Sequence, residues 1–360
     1  MPRALQGTER FVARSPAGRD ALSSCFFEGE CVCVKRIALL LLAFVLFPSV
    51  ALGAPAKEAE KRLKIWFDTG GGPGESYGTV LQNGAAAAAK DLDVDITFVY
   101  SDWSAEKMLE NFRQGLASKP DGMVVIGVPG DDAYEPLIDQ AYAQGALVTC
   151  VDTPLPRLHR KYQARGFGLI GPDNYNQGKM LAERCVAQFG LEKGDRVLVW
   201  GLKSLPGRGR RAQAILDVFE RAGLTADYIE ISPEINKDAT LGGPVLTGYL
   251  SSNEDCRLVV IDHGALTAQS GNALRAAGMK PDRVAVAGFS LSPATAEALR
   301  SGYLDLVGEG QPYLIGYLAV VNLVQSHLCG FGGLVIDTAG GFVDKENIER
   351  IAPLAEKGVR

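Results

Sequence analysis

From residue 63 onward, short continuous apolar runs alternate with stretches whose apolar residues recur every three to four positions. The runs fall at 63–67, 96–100, 122–128, 146–151, 168–170, 197–200, 228–231, 258–261, 284–287 and 304–307. They are strand-length and rich in Val and Ile, so they predict strands. The periodic stretches fall at 84–92, 105–117, 132–144, 177–189, 211–222, 266–277, 293–300 and 314–328, and predict helices. Strands apolar on both faces and alternating with helices mean parallel sheets covered on both sides. More units follow one another than a single ordinary sheet holds, so the expected fold class is α/β with two doubly wound parallel-sheet lobes. No low-complexity linker divides them, so the chain should cross between lobes more than once. The small-residue run 85–89 (AAAAA) reads as a close-packing helix face rather than a chemical motif.

The N-terminus follows a different pattern. After Lys35-Arg36 comes an apolar core from Ile37 to Phe47, then the small residues Ala51, Gly53 and Ala54. A basic pair, a short apolar core and small residues describe a secretory signal peptide, and 11 apolar residues fall short of a bilayer span. Cleavage is expected after Gly53 or Ala54, so 1–53 comprises signal peptide and upstream extension. Segment 1–33 is expected to precede the true start, with Val34 initiating. No Cys follows the small residues, which argues against a lipid anchor.

Removing 1–53 leaves 307 of the 360 residues and moves the formal charge from -5 to -7. That mild acidity argues against a nucleic-acid surface. The remaining cysteines, Cys150, Cys185, Cys256 and Cys329, form no CxxC pair and accompany only His159, His263 and His327, so no metal site and no cofactor is expected. Each cysteine lies in or beside an apolar run, and no obligatory disulfide is predicted.

Three local patterns invite a chemical reading. Gly70 to Gly74 follows the first strand but lacks the Lys of a phosphate loop. Gly207-Arg-Gly209-Arg-Arg-Ala212 matches GxGxxA with Glu230 downstream, yet 201–206 separates it from the preceding strand and three arginines crowd the turn. Gly288-Phe-Ser290-Leu-Ser292 is one residue from a nucleophile elbow, followed by Asp305 and His327 in hydrolase order but only 37 residues on. An exported α/β enzyme using Ser290 is therefore the alternative to a binding protein.

The stretches 121–133 (DGMVVIGVPGDDA), 146–152 (ALVTCVD), 171–174 (GPDN) with Gly178, 273–278 (ALRAAG), 286–289 (VAGF) and 311–316 (QPYLIG) together resemble the periplasmic sugar-binding proteins of ABC importers, of the ribose-binding type. The resemblance runs from about Leu63 to Ile348. LacI-type repressors share such lobes behind a DNA-binding helix-turn-helix, whereas a signal peptide occupies that place here. The resemblance implies the periplasmic binding protein-like I fold, with a three-strand hinge and a ligand cleft between lobes. It implies an N-terminal lobe of 63–171 plus 311–333 and a C-terminal lobe of 172–310 plus 334–350. It also implies a non-catalytic, monomeric periplasmic receptor that delivers a sugar or polyol to an ABC permease, or presents it to a chemoreceptor or sensor kinase.

Position by position, the resemblance places Tyr77 as the aromatic opening the first cleft-facing helix, Asp152 as the carboxylate for ring hydroxyls and Arg211 as the cleft arginine. His263 stands where an Asn is commoner. Phe289 keeps its aromatic, Ser290 replaces an Asp, Thr153 replaces an Arg, and Gly310 replaces a Gln with Gln311 adjacent. These departures point away from ribose toward another sugar, a polyol or another small hydroxylated ligand. Asp68 and Trp103, just past the first two strands, complete the candidate set. Asp173-Asn174 reads as a helix cap at the hinge.

Overall fold

The computed structural model describes residues 62–360; the expected signal peptide and upstream extension lie outside the described residues. In chain order the first elements are β1 (Lys64–Asp68), α1 (Ser76–Asp91), β2 (Asp95–Val99), α2 (Ala105–Ala117), β3 (Gly122–Ile126), α3 (Asp131–Ala143), β4 (Leu147–Val151), α4 (Pro156–Tyr162) and β5 (Gly168–Gly171). Next come α5 (Asn174–Gln188), β6 (Arg196–Gly201), α6 (Arg210–Arg221), β7 (Thr225–Glu230), α7 (Pro233–Lys237), α8 (Gly243–Ser252), β8 (Cys256–Ile261), α9 (Gly264–Ala276), β9 (Ala285–Phe289), α10 (Pro293–Ser301) and β10 (Leu306–Glu309). The chain closes with α11 (Pro312–Cys329), β11 (Val335–Asp337), β12 (Gly341–Asp344) and α12 (Ile348–Glu356).

Two six-stranded sheets result, in the orders β11-β5-β4-β3-β1-β2 and β12-β10-β9-β8-β6-β7. All pairings are parallel except β12 with β10, which is antiparallel. Apolar clusters cover both faces of each sheet, as continuous apolar strands require. β3 (GMVVI) is buried at every position. The chain passes between sheets at 171–174, 309–312 and 337–341. These crossings are laced together: Asp337 accepts from the Asp173 amide at 3.0 Å, the Gln311 amide donates to the Thr338 carbonyl at 3.0 Å, and the Thr338 hydroxyl donates to the Gly310 carbonyl at 2.6 Å.

Helix pairs lock each lobe. α1 and α11 approach so closely that a Cβ on Gly84 would stand 1.9 Å from the Tyr313 carbonyl oxygen, and one on Gly316 would stand 2.0 Å from that of Leu81. Ala85 and Ala88 of the small-residue run are fully buried on this face. In the other lobe, a Cβ on Gly178 of α5 would stand 2.3 Å from the Arg211 carbonyl oxygen.

Several elements differ from the sequence expectations. The segment 334–350 was expected in the C-terminal lobe, but its strand β11 pairs with β5 in the first sheet, while β12 joins the second. Helix α1 begins at Ser76, eight residues before its periodic core, because the Glu75 carboxylate caps it by accepting from the Tyr77 and Gly78 amides. Helices α4, α7 and α8 and strands β11 and β12 carry no clear periodic signal, while α12, whose Ile348, Ile351, Ala352 and Ala355 recur at helical spacing, was not among the expected helices. Those without a signal are short, proline-bearing or largely exposed. Cys150, Cys185 and Cys256 are buried in different apolar clusters, and Cys329 is exposed. Among the described residues no helix is long and apolar enough to cross a membrane.

Candidate functional site

Ligands of open parallel sheets bind beyond the carboxyl ends of the strands, and here both sheets turn those ends toward one cleft. Its empty volume, counting the open mouth, is about 890 Å³, and residues of both lobes line it. The lobes meet across it, since a Cβ on Gly207 of the second would stand 3.3 Å from Thr153 of the first. The backbone is strained where it lines or supports the cleft. Trp103 (φ 56°), Asp152 (φ 57°), Ser290 (φ 71°) and Gln311 (φ 57°), following β2, β4, β9 and β10, all hold the left-handed conformation. Such conformations cost of order 1–3 kcal/mol each and cluster at ligand clamps.

On the first lobe's wall, the Tyr77 hydroxyl donates to Asp152 Oδ1 at 2.8 Å and the Thr153 hydroxyl donates to Oδ2 at 3.0 Å. Burial, and then the Asp152 charge, push the Tyr77 phenol well above its ordinary value, so it stays a donor. The Tyr77 ring lies 5.8 Å from that of Trp103, tilted by 53°. Trp103 is fixed by its amide on the Gly70 carbonyl at 2.8 Å, and together these rings offer an aromatic face.

The second wall centres on Asp262, fully buried at the end of β8. Its Oδ1 accepts from Arg211 Nε at 2.5 Å and its Oδ2 from Arg208 Nη1 at 3.0 Å, while Arg208 Nη2 reaches the Asp262 carbonyl at 2.7 Å. Arg211 Nη1 donates to Gln177 Oε1 at 2.8 Å, and the guanidinium lies 3.8 Å over the Phe289 ring. Burial pushes the Asp262 carboxyl up, but the charges and hydrogen bonds of the two arginines more than offset it and hold it below the usual carboxylate range. Burial, then Arg208, pull the Arg211 guanidinium below its ordinary value.

His263 caps α9: its Nδ1 accepts from the Leu266 amide at 3.2 Å, so the other ring nitrogen carries the proton, and the Asn236 backbone bonds the ring as well. Burial, then the Arg208 charge, lower its pKa to about 4, leaving the imidazole neutral.

Of the sequence-predicted residues, Tyr77, Trp103, Asp152, Arg211, His263 and Ser290 line this one cleft. The other three stand behind it. Asp68 is buried beneath the first wall, accepting from the Gly70 amide, the Ser101 hydroxyl and the Asn111 amide group. Phe289 is buried as the platform under Arg211, and Gln311 sits in the hinge. Sequence reasoning missed Glu75, Arg208, Asp262 and the apolar lining from Leu202, Leu205 and Ala239. Asp262 was legible in principle, because an acid directly follows the apolar run 258–261 there, just as Asp68 and Asp152 close apolar runs. Arg208 was not, because it sits in a Gly- and Pro-rich turn.

The two enzymatic patterns are not assembled. Asp305 is spent on the Val286 amide at the opposite end of β9 from Ser290, and His327 lies on α11, which packs in the first lobe. In the Gly207 turn, Arg208 and Arg211 fold onto Asp262, and Glu230 bonds Ser204 and Tyr228. Asp173 caps α5 by accepting from the Asn176 amide, as its sequence position predicts.

Comparison with known proteins agrees with this geometry. The family model described as "periplasmic binding protein domain" matches residues 71–330. The chain is 25% identical over 283 residues to a xylose/arabinose-binding protein of Sulfolobus acidocaldarius, covering 74% of this chain and 68% of that one. A carbohydrate transporter from Acidothermus cellulolyticus, solved in complex with myo-inositol, superposes with a TM-score of 0.69 at 22% identity, covering 83% of this chain and 100% of that one. An ABC transporter solute-binding protein from Burkholderia graminis, solved with D-arabinose, gives 0.70 at 20% identity over 81% and 98%.

Proposed function

The chain belongs to the periplasmic binding protein domain family, and on that premise we propose that it is an exported receptor that captures a sugar or polyol between its lobes and delivers it to an ABC permease. The observation that carries this reading is the pairing across one cleft of a carboxylate, Asp152, and an aromatic face, Tyr77–Trp103, with a guanidinium, Arg211, on the opposite lobe. Carboxylate and guanidinium groups satisfy vicinal hydroxyl pairs, and the aromatic face suits the C–H side of a sugar ring. A ligand touching both walls gains all its contacts only when the lobes are together, so binding shifts the population toward that state. The permease, or a chemoreceptor in its place, reads the closed arrangement.

The test is a thermal-shift screen of the purified chain against pentoses, hexoses, deoxysugars and polyols. A sugar at 100 times its dissociation constant adds about 2.7 kcal/mol of stability, and Asp152→Ala removes the shift while leaving the unliganded transition in place. Ester hydrolysis abolished by Ser290→Ala, with no sugar producing a shift, would favour the enzyme reading.

A further inference from the structure

A contact between the lobes lies outside the cleft. Beyond α12 the chain turns back through Gly358, which holds the left-handed conformation (φ 63°). The Gly358 amide donates to the Ala355 carbonyl at 3.0 Å and the Val359 amide to the Leu354 carbonyl at 3.0 Å. Such paired bonds at a helix end fix the direction of the residues that follow. Helix α12 belongs to the second lobe, where Ile348, Ile351, Ala352 and Ala355 enter the apolar cluster. Its turned-back end brings Gly358 and Arg360 to the hinge.

The segment is anchored there on its own lobe. Arg360 Nε donates to Glu309 Oε1 at 2.8 Å and to Oε2 at 3.1 Å, and Arg360 Nη2 donates to Oε2 as well. Glu309 ends β10, where the chain begins its crossing into α11, and its side chain is 1% exposed against 29% for Arg360. A charge-assisted grip by two guanidinium nitrogens is strong and directional, and a carboxylate this buried is costly to leave unpaired. A second bond then reaches the other lobe. Asn83 Nδ2, on the exposed side of α1, donates to the Gly358 carbonyl at 3.1 Å. The approach is close, since a Cβ on Gly358 would stand 2.5 Å from that nitrogen.

The Asn83 bond is made in the same arrangement that sets Gly207 of the second lobe against Thr153 of the first, where the cleft walls meet. We infer that 358–360 is a latch: anchored on Glu309, it reaches across to α1 and biases the ligand-free chain toward the closed arrangement. A neutral hydrogen bond of this kind shifts an equilibrium by about two- to tenfold, strong enough to bias closure and weak enough to break on opening. The apparent dissociation constant is the intrinsic one divided by the fraction of chains able to bind. The latch therefore tunes affinity from outside the cleft, whatever ligand the cleft takes.

The experiment is pulsed dipolar spectroscopy of the ligand-free full chain, with spin labels at Glu106→Cys on α2 and Glu234→Cys on α7 in a Cys329→Ser background. No ligand is added, so the outcome is independent of the sugar screen. Asn83→Ala, which removes only the bond between lobes, should lower the ratio of short to long distances by about two- to tenfold. Glu309→Gln with Arg360→Ala should lower it in the same direction, and Asn83→Ala should have little further effect in that background, because anchor and bond act together. A ratio left unchanged or raised by Asn83→Ala would overturn the latch. A full effect of Asn83→Ala in the Glu309→Gln, Arg360→Ala background would overturn the anchoring on Glu309.

Discussion

Replacing Asp262 probes the second wall at the group that organises it. The carboxylate is fully buried and holds Arg208 and Arg211, whose side chains are only 12% and 10% exposed. Asp262→Ala leaves two largely buried guanidiniums without the carboxylate they share, and breaking a buried pair in this way costs about 3–5 kcal/mol. A surface pair sets the scale. Asp255, 68% exposed, bonds Arg196 at 3.1 Å, and Asp255→Ala should cost under about 1 kcal/mol. Urea unfolding followed by circular dichroism reads both, with the midpoint moving at constant slope. Asp262 also predicts a pH signature. Its folded pKa lies below the unfolded one, so its contribution is present above pH about 4 and is lost as the pH falls through the folded value. The gap between wild type and Asp262→Asn should therefore narrow in acid. If Asp262→Ala unfolds within 1 kcal/mol of wild type, the arginines do not depend on this carboxylate and the account of the wall is wrong.

Two further substitutions test other parts of the structure. His263 has a folded pKa of about 4 against about 6.5 unfolded. The neutral form is thus favoured in the folded chain, and the stability it contributes is fully present above pH 6.5 and falls by about 2 kcal/mol between pH 6.5 and 4.5. Urea unfolding of His263→Gln should show a flatter profile over that window, and parallel profiles would count against the buried-imidazole reading. Gly84→Ala places a Cβ 1.9 Å from a backbone carbonyl oxygen and should destabilise by about 1–3 kcal/mol, whereas Gly248→Ala, in the exposed face of α8 with nothing within 4 Å, should stabilise by about 0.5–1 kcal/mol. A thermal unfolding midpoint left unchanged or raised by Gly84→Ala would contradict the close α1–α11 packing.

The fold was legible where burial on both faces leaves a continuous apolar run, as in β3 and β8. It was not legible at 233–252, where proline and exposed residues break the period, nor at β11 and β12, whose three and four residues are too short to show one. The placement of β11 in the first sheet depends on its pairing with Leu169, Ile170 and Gly171, a contact that no local pattern encodes. The site was legible at strand ends. Asp152 and Ser290 follow apolar strands directly, and the structure sets both in the left-handed conformation beside the same cleft. Side chains that act through the tertiary fold were read differently from the sequence. His263 lines the cleft but also ties α9 to the α7 segment, and Phe289 looks like a stacking aromatic but supports Arg211 from within the core.

The central claim, capture by closure of two lobes on a sugar, is tested most directly by a distance across the cleft. Spin labels at Glu106→Cys on α2 and Glu234→Cys on α7, both exposed, in a Cys329→Ser background, report that distance by pulsed dipolar spectroscopy. Addition of a sugar that shifts the thermal transition should collapse the distribution onto one short distance. A distribution left unchanged by such a sugar would contradict the account.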